Sequence, residues 1–177
     1  MSGSLPVERD REVLAAGATQ LGVALTGPQA DALLAYLALL QKWNKVYNLT
    51  AVRDPADMLT HHLLDSLAVV NPLRNRLAAL AYDKDGAEEA QGEPRSGPLF
   101  RLLDVGSGAG LPGIVIAICC PHIAVDCVDT VAKKAAFISQ VAAALKLPNL
   151  RGLHSRVETL AGPYEVVSAR AFASLVD

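Results

Sequence analysis

Apolar positions along the chain change their period once. The first half runs at helical spacing, and in the second short apolar runs alternate with helices. In the first half Leu33, Leu34, Tyr36, Leu37, Leu40 and Trp43 recur at helical intervals behind Thr26-Gly27-Pro28, a start signal. Asp54-Pro55 opens a second helix, with the Asp as N-cap and the Pro in the first turn, where its missing N–H costs nothing. Leu59, His62, Leu63, Ser66 and Leu67 share one face of it, and Asn71-Pro72 reads as its end. Between the two helices, Lys42-Trp-Asn-Lys-Val-Tyr-Asn-Leu-Thr50 is too polar for core and too aromatic for an ordinary linker.

Asp83 to Pro98 holds no large apolar residue and is rich in Gly, Pro and acid, the composition of a flexible linker. Beyond it, Leu99 to Val105 is a short apolar run ending in a glycine cluster, hence a buried strand. Ile114 to Cys120 reads as a helix, Ile123 to Val128 as a strand and Ala132 to Leu145 as a helix. Leu150 to Leu153 and Glu165 to Val167 read as two more strands. This alternation predicts an α/β fold, a parallel sheet flanked by helices. The expected organisation is a helical N-terminal extension over residues 1–82, the linker over 83–98, and the sheet domain over 99–177. Four strands are fewer than the about six or seven of a full doubly wound sheet, so C-terminal strands are expected to be missing. Phe172 to Asp177 reads as the start of a helix.

Composition narrows the function. Hydrophobic residues make up 51% and charged residues 19%, which excludes global disorder. Aromatics are only 5%, which argues against a single-strand binder built on stacking platforms. Sixteen basic and eighteen acidic residues give a net charge of −2, excluding nucleic-acid binding by bulk charge but leaving room for a local patch. Lys42, Lys45 and Arg53, grouped with Trp43 and Tyr47, form one such patch, and RNA contact and a plain solvated face fit it equally. Cys119, Cys120 and Cys127 have neither disulfide-framework nor metal-ligand spacing and read as small buried hydrophobes in a reducing compartment. No apolar run approaches the ~20 residues of a membrane span. The charged N-terminus is unlike a signal peptide. A cytoplasmic protein without a membrane partner or metal is expected, and a monomer.

The informative stretch is Leu102-Leu-Asp-Val-Gly-Ser-Gly-Ala-Gly-Leu-Pro-Gly113. A strand runs into Gly106, Gly108 and Gly110, and a helix starts near Pro112; such a turn lets a ligand approach backbone N–H groups. From Gly108 it matches Gly-x-Gly-x-x-Gly, which alone does not separate a dinucleotide from S-adenosylmethionine. Asp129 ends the next strand about twenty residues beyond Gly110, where an acid accepts from ribose hydroxyls in either ligand. Asp104, directly under the turn, is expected to repel a pyrophosphate and to suit the ammonium and sulfonium of S-adenosylmethionine. Elsewhere, His62 with Asp65 and Ser66 reads as a structural hydrogen bond rather than catalysis. Lys133 and Lys134 sit at a helix start, where cations are mildly unfavourable, and a phosphate partner and a plain surface position fit them equally. Arg156 and Arg170 lie near predicted strand ends, the edge where ligands bind in open α/β sheets.

With these residues in hand, the sequence resembles the ribosomal RNA small-subunit methyltransferase G family, also called glucose-inhibited division protein B. The matching motifs in the first half are Lys42 to Thr50, Arg53-Asp54-Pro55 and His62-Leu-Leu-Asp65-Ser66. They continue with Asp104 to Gly113, Val128-Asp129, Lys133-Lys134, Ser155-Arg-Val-Glu158 and Ser168-Ala-Arg-Ala-Phe-Ala-Ser174. Glu165 departs from the family's usual Asp. The resemblance implies a Rossmann-like methyltransferase that uses S-adenosylmethionine. Its acceptor would be N7 of one guanine in the 530 loop of 16S ribosomal RNA, in the small ribosomal subunit. By motif, Gly106, Leu111, Val157 and Glu158 would form the donor pocket, with Gly108 of the same loop and Asp129 on the ribose. Arg170 would line the same pocket, both as a cofactor-binding residue and as the catalytic one. Attack by the N7 lone pair needs no prior proton removal, so no general base is expected. The alternatives are a non-catalytic RNA- or ribosome-associated module that retains a donor pocket, and a nicotinamide-dependent oxidoreductase.

Overall fold

The structure, a computed structural model, describes residues 6–88 and 100–170. Helix α1 (Pro6–Gln20) was not marked by the sequence pattern: among its described side chains, only Leu14 and Ala18, one turn apart, reach the core. Helix α2 (Gly27–Tyr47) starts where Thr26 announced it, with the Thr26 hydroxyl and the Gln29 side chain exchanging hydrogen bonds in a capping box. It runs further than expected. Lys42 to Tyr47 is helical, and only from Asn48, in a left-handed conformation, does the chain leave the helix. Polar Asn44 is buried there because its amide is satisfied, donating to the Val52 carbonyl at 3.2 Å and accepting from Thr50 N–H at 2.9 Å. Trp43 packs on Phe137, with ring centroids 5.4 Å apart.

Asp54 caps the next segment as its sequence predicts, its carboxylate accepting from Ala56 and Asp57 N–H. The segment comprises α3 (Pro55–Met58), a π-helical turn (Leu59–Leu64) and α4 (Asp65–Leu67). Leu59, His62, Leu63, Ser66 and Leu67 are all buried. The Asn71-Pro72 signal has the opposite sense to the one expected. The helix ends at Leu67, and Pro72 lies in the first turn of α5 (Val70–Glu88), where a proline lacks no bond that the helix needs. The Asn71 side chain instead holds the end of α1, donating to the Leu21 and Gly22 carbonyls. Helix α5 continues through Glu88, into the stretch expected to be linker; Asp, Lys, Ala and Glu all tolerate a helix, and Gly86 costs only about 1 kcal/mol. Residues 89–98 and the expected helix at Phe172–Asp177 lie outside the described residues.

Strands β1 (Phe100–Val105), β2 (Ile123–Asp129), β3 (Leu150–His154) and β4 (Val166–Ala169) form one parallel sheet in the order β3-β2-β1-β4. Helices α6 (Gly113–Cys119) and α7 (Ala132–Ala144) make the crossovers. Every residue of α6 is buried, because the sheet covers one side and the N-terminal helices the other. One hydrophobic cluster therefore runs from Leu14 through Leu63 and Ile114 to Leu150, uniting the N-terminal helices with the sheet. Leaving β1 the chain turns to β2 on one side, and β4 later fills the other side. The crevice at the carboxyl ends of β1 and β4 is thus the switch point, where open α/β sheets bind ligands.

Candidate donor site at the carboxyl edge of the sheet

The ends of β1, β2 and β3 open into a cavity of about 360 Å³, lined among others by Gly106, Val128, Asp129, Arg156, Val157 and Glu158. Of the residues expected to bind a cofactor, Gly106, Asp129, Val157 and Glu158 are thus brought together, and Arg156 joins them. Gly106 takes a φ of 66°, which lets the strand break into the loop without a Cβ clash. Gly108 stands one step behind, and Leu111 is buried beneath the loop rather than on the cavity wall.

The hydrogen bonds of the loop show what it can take. Gly106 and Ser107 N–H groups both donate to the Val128 carbonyl, at 2.9 and 3.3 Å. Gly110 and Leu111 N–H groups turn back onto the Ser107 carbonyl, and Ile114 N–H onto Gly110. Gly108 N–H donates to Asp129 Oδ2 at 3.1 Å, and Gly113 N–H to Asp104 Oδ2 at 3.0 Å. The amides that would cradle a pyrophosphate are therefore taken up inside the protein, two of them by carboxylates. Asp129 also accepts from Val131 N–H at 2.9 Å and lies 3.6 Å from Lys134 Nζ. A carboxylate has about four acceptor positions, so Asp129 retains capacity for a ribose hydroxyl. These observations fit an uncharged or cationic nucleoside donor. Ser107 adds a buried hydroxyl without a partner beside them.

Two expectations about charge need correction. Asp104 is fully buried and faces no ligand; it accepts from Gly113 N–H and, at 2.8 Å, from the Ser168 hydroxyl of β4. Burial pushes its carboxyl up to about 6, against the pull of those two hydrogen bonds. It anchors the loop and does not select the ligand. Lys134 does not await a phosphate but faces Asp129. Arg170 also departs from expectation: it lies outside the donor cavity, beyond β4, bonded to Asp65 at 2.7 Å and to the His61 carbonyl at 3.0 Å.

His62 is structural, as expected. Its Nε2 lies 2.9 Å from the Thr50 hydroxyl, and burial lowers its pKa below the ordinary 6.5. All three cysteines are buried, and burial pushes Cys119 up to about 12, so its thiol is no nucleophile. No helix among the described residues is long and apolar enough to cross a membrane. One residue reads in the sequence only as part of a helix face. Tyr36 of α2, fully buried, donates its hydroxyl to the Ala109 carbonyl at 2.9 Å and so ties the N-terminal helices to the glycine loop.

Fold and site together define the class: a Rossmann-like α/β protein with a glycine loop and a cavity at the carboxyl edge of its sheet. Comparison with known proteins supplies the family. The family model for rRNA small subunit methyltransferase G matches residues 29–81 and 91–177. Ribosomal RNA small subunit methyltransferase G of Albidiferax ferrireducens is 63% identical over 166 residues, covering 94% of this chain and 70% of that protein. Its counterparts in Paracidovorax citrulli and Acidovorax sp. strain JS42 are 62% and 63% identical, over 93% and 91% of this chain. This chain spans 65% and 67% of their lengths, about two thirds. A solved coclaurine N-methyltransferase bound to N-methylheliamine and SAH aligns at 15% identity with a TM-score of 0.39, over 93% of this chain and 49% of that one. The chain belongs to the ribosomal RNA small subunit methyltransferase G family, whose methyl donor is S-adenosylmethionine.

Proposed function

We propose that this chain transfers a methyl group from S-adenosylmethionine to N7 of a guanine in the 530 loop of 16S ribosomal RNA, acting on the small ribosomal subunit. The observation that carries the donor assignment is the glycine loop, whose amides are turned inward while Asp129 and Glu158 face the cavity. A dinucleotide pyrophosphate would meet carboxylates there and find its amides taken, which disfavours the oxidoreductase reading. The family supports small-subunit RNA as acceptor, and the motif resemblance supports N7 of guanine.

When bound, S-adenosylmethionine supplies an electrophilic methyl group on a sulfonium. The protein's own residues hold and orient the reactants. Of the residues lining the cavity, Asp129 would accept from the ribose, Val128 and Val157 would offer apolar surface to the adenine, and Gly106 would leave room for the approach. N7 carries a free lone pair and requires no base, so the rate derives from in-line alignment and exclusion of water. Arg170, across the switch point from the donor cavity, serves on the acceptor side. The test is incubation of the chain with methyl-labelled donor and small-subunit RNA, followed by mapping of label on guanine. Label at one N7 supports the reading. Donor binding without any turnover favours the non-catalytic module and refutes it.

A further inference from the structure

A second cavity, of about 430 Å³, lies at the end of β4, with Asp65, Ser66, Pro112, Ser168 and Arg170 on its walls. It adjoins the donor loop through Pro112 and occupies the other side of the β1–β4 switch point. Its volume is in the range of small-molecule sites. Ser66 is 2% exposed, and its hydroxyl has no hydrogen-bond partner although it belongs to the cavity wall. Buried hydroxyls in folded proteins are paired, so an orphan one in a cavity wall marks a place for a ligand's polar group. The Asp65 carboxylate beside it is fixed by Arg170 at 2.7 Å, and Arg170 is fixed in turn by the His61 carbonyl at 3.0 Å. The Asp65 side chain is nevertheless 58% exposed, so acceptor capacity remains. Both residues directly follow the π-helical turn Leu59–Leu64, an irregularity that often marks functional sites.

We propose that this cavity is the acceptor-base pocket, in which Asp65 and Ser66 select guanine by its Watson–Crick edge; the inference rests on the methyl-transfer reading above. Guanine offers adjacent N1–H and N2–H2 donors, which one carboxylate can accept together, and an O6 acceptor within reach of a hydroxyl or guanidinium donor. Adenine would present the N1 lone pair to the carboxylate and be repelled. A grip on this edge leaves N7, on the opposite edge, free to react. The base must leave its stack to enter, as in other enzymes that modify a base.

The experiment compares the wild-type chain, Ser66→Ala and Asp65→Asn on a small-subunit RNA fragment with guanosine or inosine at the target. Melting temperature and S-adenosylhomocysteine affinity are measured alongside. Ser66→Ala is expected to keep both and to lose roughly tenfold in kcat/KM for RNA, while Asp65→Asn loses roughly ten- to hundredfold. Inosine, which lacks the N2 amine, should lower the wild type by about tenfold yet lower Asp65→Asn little further, because that contact is already gone. The inference is overturned if the wild type is active and both variants match it. Full additivity of the Asp65→Asn and inosine losses overturns it too, as does a parallel loss of donor affinity. If the wild type labels no guanine at N7, the methyl-transfer reading itself fails, and this inference falls with it.

Discussion

Tyr36→Phe removes one oxygen atom and tests whether the N-terminal helices hold the donor loop. The phenol is fully buried and donates to the Ala109 carbonyl at 2.9 Å, across 73 residues of chain. Burial pushes its pKa well above the ordinary 10, so it remains a donor throughout the working pH range. Phenylalanine preserves the ring and its contact with Phe137, at 6.3 Å between centroids, so packing changes little. What changes is the Ala109 carbonyl, left without this donor between Gly108 and Gly110, where backbone restraint is weakest. An unsatisfied buried acceptor costs about 1–3 kcal/mol. At about 2–4 °C per kcal/mol for a chain of this size, the melting temperature should fall by roughly 2–12 °C. The loop, loosened at Ala109 but still held by its other hydrogen bonds, is tightened again on binding, so part of that energy is drawn from the ligand, and S-adenosylhomocysteine affinity should fall several-fold in calorimetry. Differential scanning calorimetry with and without ligand separates the two effects. A variant that melts with the wild type and binds with wild-type affinity would refute the reasoning.

The second half of the chain was legible because its strands are short, largely apolar runs near Gly, Pro and Asp, with a few polar residues such as Arg101, Asp126 and Arg151 inside them. The sheet residues Leu102, Leu103, Val125 and Val128 are buried, and such runs have no helical alternative that would hide them as well. The first half was harder. Among its described side chains, helix α1 places only Leu14 and Ala18 in the core, and it shows no face of its own in the sequence. Asn-Pro is compatible with a helix start as much as with an end, and the carbonyls that Asn71 reaches belong to the distant residues Leu21 and Gly22. Lys42 to Thr50 looked too polar for core because the partners of Asn44, in Thr50 and Val52, come from the loop folding back. The cavity at the strand ends was legible where local turns build it: Gly106 and Asp129 each end or follow a strand, whereas Val157 and Glu158 enter only through the motif resemblance. Asp104 misled for the opposite reason. Its acid suggested an exposed charge, whereas the Ser168 hydroxyl, 64 residues away, closes over it. Tyr36 and Ser66 were legible only as positions on a helix face, since their polar roles depend on a carbonyl and a cavity supplied by other elements.

Two further perturbations test the scaffold of the site. In Gly113→Ala the new Cβ would stand 2.3 Å from Cys127 Sγ and 2.9 Å from Asp104 Oδ2, both held in the core, so overpacking should cost about 1–3 kcal/mol by denaturant titration. Unchanged stability would show that the loop and β2 are not in that contact. Asp104 makes stability depend on pH in the direction opposite to an ordinary paired carboxylate. Desolvation raises its folded pKa from 3.8 to about 6, so between those values the folded state holds a proton that the unfolded state has released. This contribution is fully present below pH 4 and is lost as pH rises through 6, a fall on the order of 3 kcal/mol. Asp104→Asn keeps an acceptor for Gly113 N–H and can donate its amide to the Ser168 oxygen, without a charge to bury. Its advantage over the wild type should therefore grow from pH 4 to pH 6 and level off above. Parallel stability profiles for the two proteins across that window would mean that the burial of Asp104 is not felt as a proton equilibrium.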